Sequence, residues 1–126
     1  MASTTITHEI PPVWNTESRI LILGTMPSPA SRDAGFFYMH PQNRFWKVVP
    51  AVFGEDLKFS NSDAKNPELK PLVIQERRDF ILRHKIALWD VLSSCDINGA
   101  SDASIKNAVP NDFTEILSGS KITKVF

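Results

Sequence analysis

Apolar residues in this chain fall in short runs divided by polar stretches, and the period within each run predicts its element. Residues 20–23 are continuously apolar and stop at Gly24, as expected of a strand covered on both faces. Residues 86–92, apolar but for Asp90, read as a second strand, and residues 121–126 as a third. Phe45, Trp46, Val49, Val52 and Phe53 recur at three- and four-residue spacing. That spacing predicts a helix over 43–53, bent or shortened by Pro50. Leu72, Ile74, Phe80 and Ile81 against Glu76, Arg77, Arg78 and Arg83 predict an amphipathic helix over 72–84. Asp112 stands three residues before Glu115, a capping-box-like start for a short helix through Leu117 that Ser118-Gly119-Ser120 ends.

The polar stretches complete the outline. Residues 1–7 are Thr-rich and are expected to fray, with 1–10 as a flexible lead. Pro11-Pro12 makes an extended step, leaving Val13 and Trp14 to pack on the domain edge. Residues 54–71 read as a surface loop, and residues 93–111 as a long polar loop with a short helix near 104–108. Apolar strands alternating with helical segments predict a three-layer α/β/α sandwich with a mainly parallel central sheet. At 126 residues, the chain 1–126 is read as a single domain.

Composition narrows the functions available. Fourteen basic and fourteen acidic residues give a formal net charge of zero. Any nucleic-acid contact must therefore rest on a local patch, because DNA-binding domains are often clearly basic. The single Cys95 excludes an intramolecular disulfide framework and a cysteine-rich zinc site. A reducing, cytoplasmic setting is the expectation. The apolar runs are too short for a membrane-spanning helix, and no secretory signal pattern appears. No membrane partner is expected.

The candidate chemistry clusters after the first strand. Gly24-Thr25-Met26-Pro27-Ser28-Pro29 sets backbone N–H groups and small side chains at the carboxyl end of a sheet, where open α/β folds bind ligands. Phe36, Phe37 and Tyr38 follow, then His40-Pro41-Gln42-Asn43-Arg44-Phe45-Trp46. Aromatic rings suit stacking on a flat ring, and amides can read polar atoms. The arrangement reads as a pocket for a planar heterocycle. Read as residues alone, Asn43 is either a catalytic amide or the N-cap of the helix after it. His40 is either a hydrogen-bonding group or a turn-fixing histidine, and Ser28 is equally a plain turn residue. Cys95 reads as a buried small residue, and Asp90 and Asp96 as cap or turn residues.

Gly24-Thr25-Met26-Pro27-Ser28 and Gly35-Phe36-Phe37-Tyr38-Met39-His40-Pro41-Gln42-Asn43-Arg44-Phe45-Trp46-Lys47-Val48 resemble the first active-site region of the uracil-DNA glycosylase superfamily. Ile86-Ala87-Leu88-Trp89-Asp90-Val91-Leu92, Cys95-Asp96-Ile97-Asn98-Gly99 and Ser101-Asp102-Ala103-Ser104-Ile105 resemble its hypoxanthine-DNA (deoxyinosine) glycosylase branch. The resemblance implies a monofunctional enzyme that flips a deaminated base, hypoxanthine first, out of DNA and hydrolyses its N-glycosidic bond. It implies no metal and no cofactor. The partner would be double-stranded or single-stranded DNA with a damaged base, met by a monomer.

The resemblance also assigns roles. Asn43 takes the catalytic slot. Gly24, Thr25, Met26, Phe37, Tyr38 and His40 would bind the base, with Tyr38 stacking on it and Phe36 or Phe37 as the fallback. Such stacking is worth about 1–3 kcal/mol per base. Ser28, Ser31, Arg32, Arg44 and Ser101 would contact the DNA backbone. Met26 stands where classical uracil and mismatch-specific enzymes carry an acid or amide, and it favours the deoxyinosine branch. The alternatives are a mismatch-specific uracil-DNA glycosylase, or, in another class, a catalytically silent nucleic-acid-binding module or fragment. The family continues beyond the third strand, so the chain is expected to be C-terminally incomplete and slower than a longer version.

Overall fold

A computed structural model describes residues 4–7, 10–25, 27–97 and 106–126. Met26 and Ser101, together with Asp102 and Ser104, lie outside the described residues. The centre is a three-stranded parallel sheet with β2 (Ile20–Gly24) between β3 (Ile86–Asp90) and β6 (Lys124–Val125). Ile20 pairs with Ile86 and with Lys124, and Gly24 ends level with Asp90. Val13 adds an antiparallel bridge to Leu88, through bonds of 3.0 and 2.9 Å. This bridge buries Val13 completely, so it belongs to the core and not to the domain edge.

Among the described residues, four α-helices accompany the sheet: α1 (Pro29–Ala34), α2 (Phe45–Val52), α3 (Lys70–Arg83) and α4 (Thr114–Gly119). Ile86 and Leu88 join Phe36, Trp46, Val73, Phe80 and Ile81 in one core. By strand alternation, the buried register pair Leu21 and Ala87 points to the opposite face. Helices flank the parallel sheet, as the α/β reading expects.

Several elements differ from the sequence expectation. Thr4–Thr7, expected to fray, form β1. Residues 93–111 are not one loop: β4 (Leu92–Ile97) and β5 (Lys106–Pro110) make a second, antiparallel sheet in the order β1-β4-β5. The helix expected near 104–108 is strand from Lys106 onward. Polar residues suit this strand because the described side chains of Asn107, Ala108 and Val109 are exposed. The helix α2 is shorter than 43–53: it starts at Phe45 and runs through Pro50 to Val52. Val52, expected on the apolar face, is 76% exposed. At α4 no capping box forms; Asp112 Oδ1 instead accepts from Thr114 N–H at 2.9 Å and Thr114 Oγ1 at 2.6 Å. Those bonds hold the Asp112 carboxyl below its ordinary pKa.

The face of α3 also differs. Leu72 is exposed, and the inward row is Val73, Arg77, Phe80 and Ile81. Arg77 therefore lies on the apolar side. Residues 54–71 are not all surface, since a 3-10 helix at Asn61–Lys65 buries Asn61 and Ala64.

Candidate functional site

The cleft begins where β2 runs out. Gly24 takes no side chain because one would collide with Asp90 Oδ1 and come 3.7 Å from the Tyr38 hydroxyl. Beyond Gly24 the chain turns away, and Val91 and Leu92 N–H donate to the Gly24 and Thr25 carbonyls at 2.8 and 3.1 Å. A cavity of 230 Å³ opens there, lined by Gly24, Thr25, Pro27, Ser28, Ser31, Phe37, Tyr38, Asn43 and Asp90. Asn43 and Tyr38 thus share one cleft at the carboxyl end of β2.

Side chains, not regular secondary structure, hold the walls. Ser28 caps α1, accepting from Ser31 N–H at 3.2 Å. Ser31 is buried, and its Oγ accepts from Met39 N–H at 2.9 Å. Trp46 Nε1 donates to the Phe37 carbonyl at 2.9 Å and its ring stacks on Phe36. Phe36 is therefore core, which removes it as a fallback for base stacking. Tyr38 has φ of 57°, in the left-handed region, and its ring stacks on Phe45 at 4.1 Å. Burial, with the Asp90 charge second, pushes the Tyr38 phenol up to about 12.

The N-cap of α2 is Arg44, so Asn43 stands one residue before the cap position read from the sequence. Its Oδ1 accepts from Phe45 N–H at 2.8 Å, a turn bond that leads into α2. A backbone donor can bond only the amide oxygen, so the bond fixes which end is which. The end left for a ligand is Nδ2, a donor.

Other expected site residues lie elsewhere. His40 is exposed and does not line the cleft; its Nδ1 accepts from Gln42 N–H at 3.1 Å, the turn-fixing role. Arg32 reaches the Pro27 carbonyl at 3.2 Å and steadies the loop from outside. Arg44 is exposed at the start of α2.

Asp90, read from the sequence as a cap or turn residue, is 3% exposed and forms part of the cleft. Asn111 Nδ2 holds its carbonyl at 2.9 Å. The register places Asp90 there, because two parallel strands that end level deliver their last residues to the same crevice. A buried carboxylate beside a phenol and an amide can accept from a ring N–H, while Asn43 can donate to a ring oxygen or nitrogen.

Comparisons with known proteins agree with this architecture. No family model matches the chain. A hypoxanthine DNA glycosylase of Methanosarcina barkeri is 35% identical over 104 residues, 82% of this chain and 58% of that protein. One of Methanosarcina acetivorans is 31% identical over 109 residues, 86% of this chain and 61% of that protein. A solution NMR structure of a candidate uracil DNA glycosylase from Methanosarcina acetivorans superposes with a TM-score of 0.73 at 25% identity. That match covers 97% of this chain and 68% of the other. The chain spans about three fifths of the length of the curated relatives it matches. In sequence and in fold, it belongs to the uracil-DNA glycosylase superfamily, with the hypoxanthine DNA glycosylases.

Proposed function

We propose that this chain carries the base-binding and catalytic cleft of a monofunctional DNA glycosylase acting on deaminated bases, hypoxanthine first. The observation that supports this most is the grouping of Asn43, Asp90 and Tyr38 around one small cavity at the end of β2. The substrate is DNA in which the damaged nucleotide has rotated out of the stack. Tyr38 offers its ring opposite the face that Phe45 covers. The Asp90 carboxylate accepts from the N1–H of hypoxanthine. Adenine has no such hydrogen, so the same contact rejects the parent base. Asn43 Nδ2 donates to a base atom that gains negative charge as the bond stretches.

The step is hydrolysis. The C1′–N9 electron pair leaves with the purine, water adds to C1′, and the proton lost by that water ends on the base. Nothing in this balance needs a cofactor. Ser28 and Thr25 at the cleft rim are the candidates for a flanking phosphate. The reading further takes the protein as a cytoplasmic monomer.

The test is incubation of the chain, at single turnover, with labelled duplexes and single strands carrying inosine, uracil or no lesion. Release of hypoxanthine from inosine DNA alone, or fastest from it, supports the proposal. Uracil release without hypoxanthine release would move the protein to the mismatch-specific reading. Binding without release from any substrate would favour a silent nucleic-acid-binding module.

A further inference from the structure

Asn61 opens the 3-10 helix of the polar stretch between α2 and α3, and it is 8% exposed. Both ends of its amide are used. Nδ2 donates to the Tyr38 carbonyl at 3.0 Å and to the His40 carbonyl at 2.9 Å. Oδ1 accepts from Arg77 Nη2 at 2.9 Å. Arg77 is 1% exposed; its Nη2 also donates to the Phe59 carbonyl at 3.0 Å, and its guanidinium lies 5.5 Å over the Trp46 ring. Glu76 is its ion-pair partner at 3.5 Å, and its Nε has no partner.

This is a costly arrangement for stability alone. An unsatisfied buried donor costs about 1–3 kcal/mol. An apolar residue in the inward row of α3 would fill the same space without burying a charge. The carbonyls that Asn61 holds point to what the arrangement does. They are the carbonyl of the left-handed Tyr38 itself and one two residues on; that conformation costs of order 1–3 kcal/mol and persists only where its surroundings over-determine it. Ser31 and Trp46 hold the Met39 N–H and Phe37 carbonyl of the same segment. Asn61 closes this set from the far side.

We propose that Asn61, oriented by Arg77, is a positioning residue for the cleft: it pins the Tyr38 and His40 carbonyls and so keeps the Tyr38 ring beside Asp90. Its effect on base release rests on the reading of the cleft as a base site. Its effect on Tyr38 does not.

Tyr38 is the single tyrosine of the chain, so selectively labelled tyrosine gives one ring spin system in an NMR spectrum. Stacked on Phe45, that ring carries a ring-current shift. Asn61→Asp keeps the size and the bond to Arg77 but sets oxygen against both carbonyls. The expected result is a folded protein whose Tyr38 ring signals move toward unstacked values. Single-turnover release of hypoxanthine should fall by about 10- to 100-fold, as small misplacements of reacting groups do. Arg77→Met keeps an unbranched chain in the same space but removes the Nη2 donor that holds Asn61 Oδ1, and it should move the same signals in the same direction. It carries the comparison if Asn61→Asp does not fold. Tyr38 signals that superpose on the parent's in the folded variant would overturn the proposal. If the parent releases no base, the functional reading fails, and the Tyr38 spectra still decide the positioning role.

Discussion

Gly24 and Asp90 end adjacent parallel strands in register, and the Asp90 carboxylate occupies the space that a side chain on Gly24 would need. The glycine thus admits a buried acid to the floor of the cleft. Gly24→Ala should displace Asp90 or strain β2, at a cost of about 1–3 kcal/mol. Urea denaturation checks the stability, and base release from inosine DNA should fall with it. Unchanged stability with full release would refute the close approach.

Asn43 has two duties that one substitution separates. Asn43→Asp keeps an oxygen for Phe45 N–H and so keeps the turn bond that leads into α2. It removes the Nδ2 donor and adds a charge. Stability should stay near the parent's, whereas single-turnover release should drop by about 100-fold or more. Asn43→Ala should lose both, with a destabilisation of about 1 kcal/mol. A fully active Asn43→Asp would rule out the donor role.

Tyr38 predicts a specific alkaline behaviour. Its folded pKa is raised to about 12, against about 10 for an unfolded tyrosine. Between these values the unfolded chain gives up a proton that the folded chain keeps. The stability contribution is therefore complete below pH of about 10 and is lost as pH rises toward the folded value. Denaturation midpoints of the parent should fall more steeply over that window than those of Tyr38→Phe. Parallel curves would contradict the burial of the phenol.

Asp90→Asn tests the second cause of that shift. Removing the charge should lower the phenol pKa, read by ultraviolet titration of the single tyrosine. It should remain above the ordinary value, because burial is the larger cause. A titration unchanged from the parent's would mean that the two groups do not interact.

Much of this was legible in the sequence where local pattern decides structure. The run that ends at Gly24 and the one that begins at Ile86 gave the parallel pair, and the dense block from Phe36 to Trp46 located the cleft. What stayed hidden depends on tertiary partners. Arg77 follows Val73 by four residues and precedes Phe80 by three, so helical spacing alone places it inward; a charged residue there reads as solvated until Asn61, Phe59 and Trp46 are seen around it. Asn61 stands among polar neighbours that give no local signal. Asp90 read as a cap or turn residue because its counterpart across the sheet, Gly24, is distant in sequence. The strand at 106–110 was missed because pairing with β4, not propensity, selects it.

The polar stretch between α2 and α3 has a consequence for transplanting the cleft. A graft that copied only β2, the aromatic block and the end of β3 would reproduce the chemical groups without the hand that sets their spacing. Residue 61 and its arginine must travel with them. Insertions in that stretch are compatible with the cleft only where they leave Asn61 its reach to two carbonyls more than twenty residues earlier in the chain.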